Sequence, residues 1–206
     1  MRDAAMPPQD LQPELTLLAR MRQGDESAFV ALYRRHKDAI YRMALLYSGS
    51  SASAADVTQE TFLHFITRTT QFDPVRGTLG AWLCGVARHL AYRERDAREE
   101  ATDPGALADD VSSPWAPVQD TPMERLLRSE AADQVRLALA SIAPHYRDIL
   151  ILCELAELSY AEAAQLAGID IGTVRSRLSR ARAQLADRLE KLGLLAGSPR
   201  AKEVSQ

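Results

Sequence analysis

The chain has 206 residues with a net charge of -3, of which 26% are charged and 46% are hydrophobic. This length suits one or two small domains. No apolar run approaches the roughly 20 residues that a membrane-spanning helix needs, and the first residues lack an apolar signal core, so we expect a cytoplasmic protein without membrane insertion.

The residues that most often carry enzyme chemistry show no recognisable spacing. The four histidines are scattered, and Cys84 and Cys153 lie far apart along the chain. There is no GxSxG motif, phosphate-binding loop or HExxH motif. The sequence therefore predicts no metal site, no cofactor and no enzymatic activity.

The first half of the chain is predicted to form amphipathic helices. After a flexible segment over residues 1–10, apolar spacing predicts a short helix from Leu11 to Met21 and a longer one from Glu26 to Tyr47. A third helix is predicted from Ala54 to Thr69. Its expected inner face consists of Val57, Thr61, Phe62, Phe65 and Ile66.

The segment from Phe72 to Gly77 is predicted to be a loop, because Pro74 disfavours helix in the residue before it. A longer helix is predicted to follow from Thr78. Trp82 and several arginines near this loop could form a platform for single-stranded nucleic acid, since bases stack on aromatic rings and phosphates pair with arginine. A core tryptophan with solvated arginines would explain the same pattern.

The middle of the chain is acidic and rich in proline. Acidic residues outnumber basic ones between Glu94 and Gln134, which leaves the rest of the chain net positive. We interpret residues 102–121 as a flexible acidic linker. Helical spacing resumes from Pro122 to Ile142, and the apolar run from Ile149 to Cys153 is predicted to be helical, because no second strand exists to pair with it.

The stretch after residue 158 has the pattern of a helix-turn-helix. Ser159 and Glu162 have capping-box spacing, Gly168 suits a left-handed turn, and Asp170 can cap a second helix. In that second helix one stripe is apolar, and the basic and hydroxyl residues fall largely off it. Such a helix can lie in the DNA major groove, although an amphipathic helix in a bundle would show a similar stripe.

With these elements in order, the chain resembles the extracytoplasmic-function (ECF) group of bacterial sigma-70 RNA polymerase sigma factors. The resemblance rests on GDESAFVALYRRHKDAIYRMA, DVTQETFLHF and LGAWLCGVARHLAYRERDA in the first half and on SYAEAAQLAGIDIGTVRSRLSRARAQL in the second. It implies an all-α chain with two small helical domains, a bundle and a four-helix domain with a helix-turn-helix, joined by the acidic linker. The implied boundaries are 11–101, 102–121 and 122–192, with a flexible tail over 193–206.

The resemblance implies a subunit that binds core RNA polymerase, directs it to promoter DNA and helps to open the duplex. The second domain would read the minus-35 element through Arg175, Ser176, Arg177, Ser179, Arg180 and Arg182. The first would capture a single strand of the minus-10 element through Arg76, Thr78, Trp82, Arg88, His89, Tyr92 and Arg93. His89 stands where the family usually has asparagine. The acidic linker resembles a family segment threaded toward the RNA path, and a plain solvated linker would have the same composition.

The helix around Asp56 matches the family surface that docks on a coiled coil of the largest polymerase subunit. The residues carried over are Asp56, Gln59, Glu60, Phe62 and Leu63. The family usually has several carboxylates before this point, and here only Asp56 is retained. Hydroxyl residues cluster there instead: Ser50, Ser51, Ser53 and Thr58. Phosphorylation by a Ser/Thr kinase could restore the missing charge, and control by an anti-sigma factor is the other possibility.

A second class of protein carries a similar helix-turn-helix. A stand-alone transcriptional regulator would place a receiver or ligand domain before it and bind a palindrome as a dimer. The first half of such a chain should contain alternating strands, and the sequence shows no such run. We keep this class as the alternative.

Overall fold

Two parts of the chain, residues 12–101 and 132–194, are described by the computed structural model, and every regular element in them is helical. They belong to two compact units, which we call the N-terminal unit and the C-terminal unit. The all-helical prediction is confirmed over these residues. The expected flexible N-terminus, the acidic linker and nearly all of the tail lie outside the described residues.

Residues 12–101 of the N-terminal unit form four α-helices. They are α1 (Gln12–Arg22), α2 (Glu26–Ser48), α3 (Ser51–Thr67) and α4 (Leu79–Ala101), with a short 3-10 turn (Thr69–Gln71) after α3. Helices α2, α3 and α4 pack against one another, and α1 packs on α2. Asp25 caps the start of α2 by accepting hydrogen bonds from the backbone N–H groups of Ser27 and Ala28. The apolar spacing read from the sequence thus builds a helical bundle.

The bundle core is made by large side chains from α2, α3 and α4. Those buried almost completely include Leu32, Ile40, Met43, Phe65, Leu79 and Leu83. They recur at helical spacing on the inner stripe of each helix, where burial removes their apolar surface from water. The apolar positions of these helices thus form one common core.

Helix α3 begins three residues before the predicted start at Ala54. Ser50 takes extended backbone dihedrals, and its side chain accepts a hydrogen bond from the backbone N–H of Ser53. Ser50 is therefore the N-cap of α3. The helix also ends at Thr67 instead of Thr69. Ile66, predicted to face inward, is 46% exposed, because Phe65 already occupies the inner stripe and the next residue turns about 100° away.

The described part of the C-terminal unit, residues 132–194, is also built from helices. Residues 132–140 form α5, followed by α6 (Pro144–Leu150), a π-helical turn (Ile151–Leu155), α7 (Tyr160–Ala167) and α8 (Ile171–Lys191). Helix α8 packs on α6 and α7. The apolar run from Ile149 to Cys153 is helical, as predicted. Its isoleucines and Leu152 join Val174 and Leu178 in the core.

The π-helical turn is followed by a backbone position with left-handed dihedrals. Glu157 has φ of 54°, and no other residue than glycine has a positive φ in the described parts of the chain. The N–H of Ala156 donates to the carbonyl of Ile151, and the N–H of Leu158 donates to that of Leu152. This turn redirects the chain into the cap of α7.

Candidate nucleic-acid interfaces

The joint between α7 and α8 has the predicted helix-turn-helix geometry. Ser159 Oγ accepts from the N–H of Glu162 at 3.2 Å, and Glu162 Oε2 accepts from the N–H of Ser159 at 3.0 Å. Gly168 closes α7 in the left-handed conformation with φ of 67°. Both features of the sequence prediction, the capping box and the glycine turn, are confirmed.

Asp170 starts the second helix of the pair. Its carboxylate accepts from the N–H of Thr173 at 2.8 Å and from the hydroxyl of the same residue at 2.6 Å. These hydrogen bonds from Thr173 lower the pKa of Asp170. The positive end of the helix dipole also stabilises the negative charge of Asp170. The hydrogen bonds and the dipole together fix the start of α8 at this residue.

Helix α8 presents a polar front and an apolar back. Val174, Leu178 and Ala181 are buried against the rest of the unit. The exposed front carries Arg175, Ser176, Ser179 and Arg180, and Arg177 is half-buried beside it. Arginine can bond guanine bidentately in the major groove, and serine hydroxyls can bond phosphate oxygens. The front of α8 is thus chemically suited to double-stranded DNA.

Arg182 is exposed but forms an ion pair within the C-terminal unit. Its Nε donates to Glu154 Oε1 at 3.0 Å, and its Nη2 bonds the same oxygen. The hydrogen bond from Arg182 to Glu154 raises the pKa of the guanidinium. Its partner lies 28 positions earlier in the chain, which no local sequence signal reveals. The DNA contact predicted for Arg182 stays a prediction.

The loop before α4 has an exposed tip and an ordered base. Asp73 accepts from the N–H of Val75 through its side chain, at 3.0 Å, and from the N–H of Arg76 through its carbonyl, at 3.0 Å. Val75 is 91% exposed, and Arg76 is exposed beside it. Thr78 caps α4, because its Oγ1 accepts from the N–H of Ala81 at 3.2 Å. Arg76 and Thr78 were predicted to contact DNA, whereas the high exposure of Val75 was not expected from the sequence.

Trp82 lies near the start of α4, four residues after Thr78, and is only half-buried. Its ring lies 6.0 Å from that of Phe65, 6.1 Å from that of Phe72 and 5.8 Å from that of His64, measured between centroids. Trp82 thus packs against core rings and keeps part of its surface accessible, and its role as a platform for single-stranded nucleic acid stays a prediction.

The other residues predicted to contact single-stranded DNA lie further along α4. His89 and Arg93 are exposed and share a stripe with Trp82, at spacings of seven and four residues. Arg88 and Tyr92 form a second pair, with the guanidinium carbon 5.1 Å from the ring centroid. Arg93 pairs with Glu60 of α3 at 3.3 Å. From Trp82 to Arg93 the stripe spans about 16 Å, enough for several nucleotides.

The exposed face of α3 is the predicted polymerase-docking surface. Asp56, Gln59 and Glu60 are exposed, and Leu63 is 53% exposed. Ile66, missed in the sequence, extends the apolar end of this face. Phe62 was predicted as a contact, but it is 3% exposed, and its ring meets that of Tyr33 at 4.7 Å, so it supports α3 from the core.

The hydroxyl residues predicted as phosphorylation sites differ in access. Ser53 is 1% exposed and Thr58 is 8% exposed. Thr58 Oγ1 donates to the carbonyl of Ala54 at 2.6 Å. A kinase could not reach either side chain in the folded unit, which corrects the prediction at these two positions. Ser50 and Ser51 are half-exposed.

The described residues contain neither a metal-binding cluster nor a membrane-spanning helix. Among residues 12–101 and 132–194, no group of three or more His, Cys, Asp or Glu side chains is arranged to hold a metal ion. None of the helices in these ranges combines the length and apolar character of a membrane span.

Both units match family profiles. Residues 32–100 match sigma-70 region 2, and residues 132–185 match sigma-70 region 4. The ECF RNA polymerase sigma factor SigE of Mycolicibacterium smegmatis is 34% identical over 172 residues, which cover 82% of this chain and 65% of that protein. The probable RNA polymerase sigma-C factor of Mycobacterium bovis is 32% identical over 173 residues, covering 80% of this chain and 85% of that protein.

A solved sigma factor structure is also similar to this chain. The sigma factor RpoE of Bartonella quintana, solved in complex with the anti-sigma factor NepR, aligns with a TM-score of 0.61 at 26% identity and covers 79% of this chain and 96% of that chain. This chain therefore belongs to the sigma-70 family, among its ECF RNA polymerase sigma factors.

Proposed function

We propose that this protein binds core RNA polymerase, directs it to a specific class of promoters and assists opening of the DNA, without catalysing a reaction itself. One observation carries the proposal. A single chain combines a region 2 unit with an exposed docking face on α3 and a region 4 unit with an exposed Arg-Ser face on α8. The stand-alone regulator is not favoured, because residues 12–101 are helical and contain none of the strands that class requires.

The DNA roles divide between the two units. Arg175, Ser176, Ser179 and Arg180 read the minus-35 duplex from the front of α8, where Arg180 Nη1 is within 3.3 Å of the Tyr146 hydroxyl. The loop from Asp73 to Thr78 and the stripe from Trp82 to Arg93 hold the single strand of the minus-10 element, with bases stacking on the open side of Trp82.

The polymerase partner docks on α3. A coiled coil of its largest subunit would cover the acidic end at Asp56 and Glu60 and the apolar end at Leu63 and Ile66. Mixed surfaces of this kind gain affinity from the buried apolar centre and specificity from the surrounding charges. Regulation by an anti-sigma factor is proposed by analogy with the Bartonella quintana complex.

Run-off transcription with purified core polymerase tests the proposal. Linear templates carry barcodes and are randomised across the minus-35 and minus-10 elements, so that the transcript yield of each barcode reports base preference. We expect promoter-specific transcripts without a housekeeping sigma factor, and their loss on Leu63→Asp. A protein that binds DNA but yields no transcript with core polymerase would contradict the proposal and fit the regulator.

Of the four predicted phosphorylation sites, we propose only Ser50 and Ser51 as sites of control, because Ser53 and Thr58 are buried. A phosphoryl group there would add about -1.5 to -2 charge at the start of α3, where the helix dipole favours it. The test compares the core affinity of the unmodified protein with Ser51→Glu and with an acidified Ala52→Asp/Ala55→Asp variant, since both alanines are exposed. Equal affinities in all three would mean that the charge is not needed.

A further inference from the structure

Arg22 joins helix α1 to the base of the minus-10 loop. Its Nη2 donates to the carbonyl of Thr69 at 2.7 Å and to the carbonyl of Phe72 at 2.9 Å. These partners are 47 and 50 residues away in the chain. They flank the last turn before Asp73, where the loop begins, and Arg22 itself precedes the part of the chain that matches region 2, residues 32–100.

Hydrogen bonds from a charged guanidinium to carbonyl groups are among the stronger ones in proteins. The two carbonyls belong to a 3-10 turn and its following residue, which have no continuing helix to satisfy them. Arg22 thus supplies donors that the backbone lacks at this point. Phe72 is held in addition by its ring, which is 4% exposed and packs on Trp82.

Helix α1 is itself fixed to the bundle, so that Arg22 has a firm base. Glu14 is 6% exposed, and its Oε1 lies 2.7 Å from His36 Nε2 and 3.6 Å from Arg35 Nη1. Burial alone would raise the pKa of Glu14, but these two partners outweigh it and hold the pKa below its usual value.

The loop is thus held at its entry by Arg22 and at its exit by the Thr78 cap, while Val75 and Arg76 at its tip remain exposed. A loop held at both ends keeps its tip in one place, which lowers the conformational entropy lost when a strand binds. Without Arg22, the entry side would depend on Phe72 alone.

We propose that Arg22 is a positioning residue for promoter opening: by clamping the carbonyls of Thr69 and Phe72, it sets the Asp73–Thr78 loop in the conformation that receives an unstacked base of the minus-10 element. This inference rests on the proposed role of the loop. Arg22 touches no DNA in this account and acts through the loop backbone.

The test uses the full chain with core polymerase and the same barcoded template pool. Arg22→Ala removes the clamp. Arg22→Lys keeps one nitrogen with several donors, and since a single nitrogen of Arg22 makes both bonds, the lysine should retain part of the function. Arg20→Ala is the matched control, because it removes an arginine of α1 that has no contact with the loop. Arg76→Ala reports on the loop tip itself.

We expect Arg22→Ala to lower promoter-specific transcript about tenfold, in line with the loss of charged hydrogen bonds, and to flatten the base preference across the minus-10 element only. The minus-35 preference and the melting temperature should match those of Arg20→Ala. Arg22→Lys should fall between Arg22→Ala and the unmodified protein.

Two results would overturn the clamp. Arg22→Ala could keep the minus-10 preference of the unmodified protein, or it could weaken both preferences together with a lowered melting temperature, as a purely structural role would. If Arg76→Ala changes the minus-10 preference and Arg22→Ala does not, the loop keeps its proposed role and only the clamp is wrong. If neither variant changes it, the proposed role of the loop fails as well.

Discussion

Arg182 of α8 and Glu154 of the π-helical turn form an ion pair between the DNA-reading helix and the segment that precedes the helix-turn-helix. The pair is exposed and links the middle of α8 to the rest of the C-terminal unit. Arg175, in contrast, is exposed at the beginning of the same helix. Two arginines seven residues apart thus have different surroundings.

Substituting these two arginines should separate DNA reading from stability. Arg175→Ala should weaken promoter binding by about 1–3 kcal/mol and relax base preference at one position, if it contacts a base. Arg182→Ala should leave base preference unchanged and lower the melting temperature in low salt, with the difference shrinking in high salt as screening weakens the exposed pair. Binding to randomised minus-35 duplexes and thermal melting at two salt concentrations measure both effects.

A double substitution is the control for that pair. Glu154→Ala with Arg182→Ala should lower the melting temperature by less than the sum of the single changes, because the two residues share one interaction. A relaxed base preference in Arg182→Ala would show that its guanidinium leaves Glu154 and reaches DNA.

The capping box of α7 gives a prediction on stability alone. Ser159→Ala should destabilise the C-terminal unit by about 1 kcal/mol, because the N–H of Glu162 loses its acceptor at a helix start. Denaturant unfolding followed by circular dichroism measures the change. Ser179→Ala removes a serine hydroxyl from an exposed helix interior and should not destabilise, so equal losses in both variants would refute the importance of the cap.

Glu157 holds a backbone conformation that glycine adopts without strain. With φ of 54°, Glu157→Gly should stabilise the C-terminal unit by about 0.5–1 kcal/mol after the entropy cost of glycine in the unfolded chain is subtracted. Glu157→Val should have the opposite sign, since a β-branched residue is strongly disfavoured there. If both changes destabilise to the same extent, the glutamate side chain matters more than its backbone.

Acid should weaken the N-terminal unit through Asp25. Hydrogen bonds from Ser27 and Arg20 lower the pKa of Asp25 from 3.8 to about 2. Because the folded value lies below the unfolded one, its stabilisation is complete above 3.8 and is lost as the pH falls toward about 2. Asp25→Asn keeps a capping oxygen without this titration, so the stabilities of the two proteins should converge on acidification. Urea unfolding across this range checks the result, and curves that stay parallel would contradict it.

Local signals in the sequence predicted most of the helices and the joint between α7 and α8. Ser159, Glu162, Gly168 and Asp170 act within a few residues of themselves, so their spacing alone predicts their roles. The start of α3 was missed because a serine reads equally well as part of a loop and as a helix cap. Ser50 is the cap, which moves the helix three residues toward the N-terminus.

Contacts between distant residues could not be predicted in the same way. The partners of Arg22, Arg93 and Arg182 lie on other elements, and which partner each arginine meets depends on how the helices pack. The burial of Phe62 on α3 could not be predicted either, because an aromatic residue at this position could lie in the core or on the surface. In the structure it lies in the core. A sequence can name such candidates, but only the packing decides among them.

The buried stripe of α8 has a thermodynamic consequence for DNA recognition. Val174, Leu178 and Ala181 are almost fully buried, whereas Leu185 and Leu189 are half-exposed and Leu192 is 47% exposed. The half of the helix that carries Arg175, Ser176 and Ser179 is therefore the half fixed to the core, and the distal turns are the ones free to fray. The side chains of Arg175, Ser176 and Ser179 are thus attached to a backbone that is already ordered before DNA binds. Little of the binding free energy is spent on ordering that backbone, so discrimination between base pairs depends on the side-chain contacts themselves.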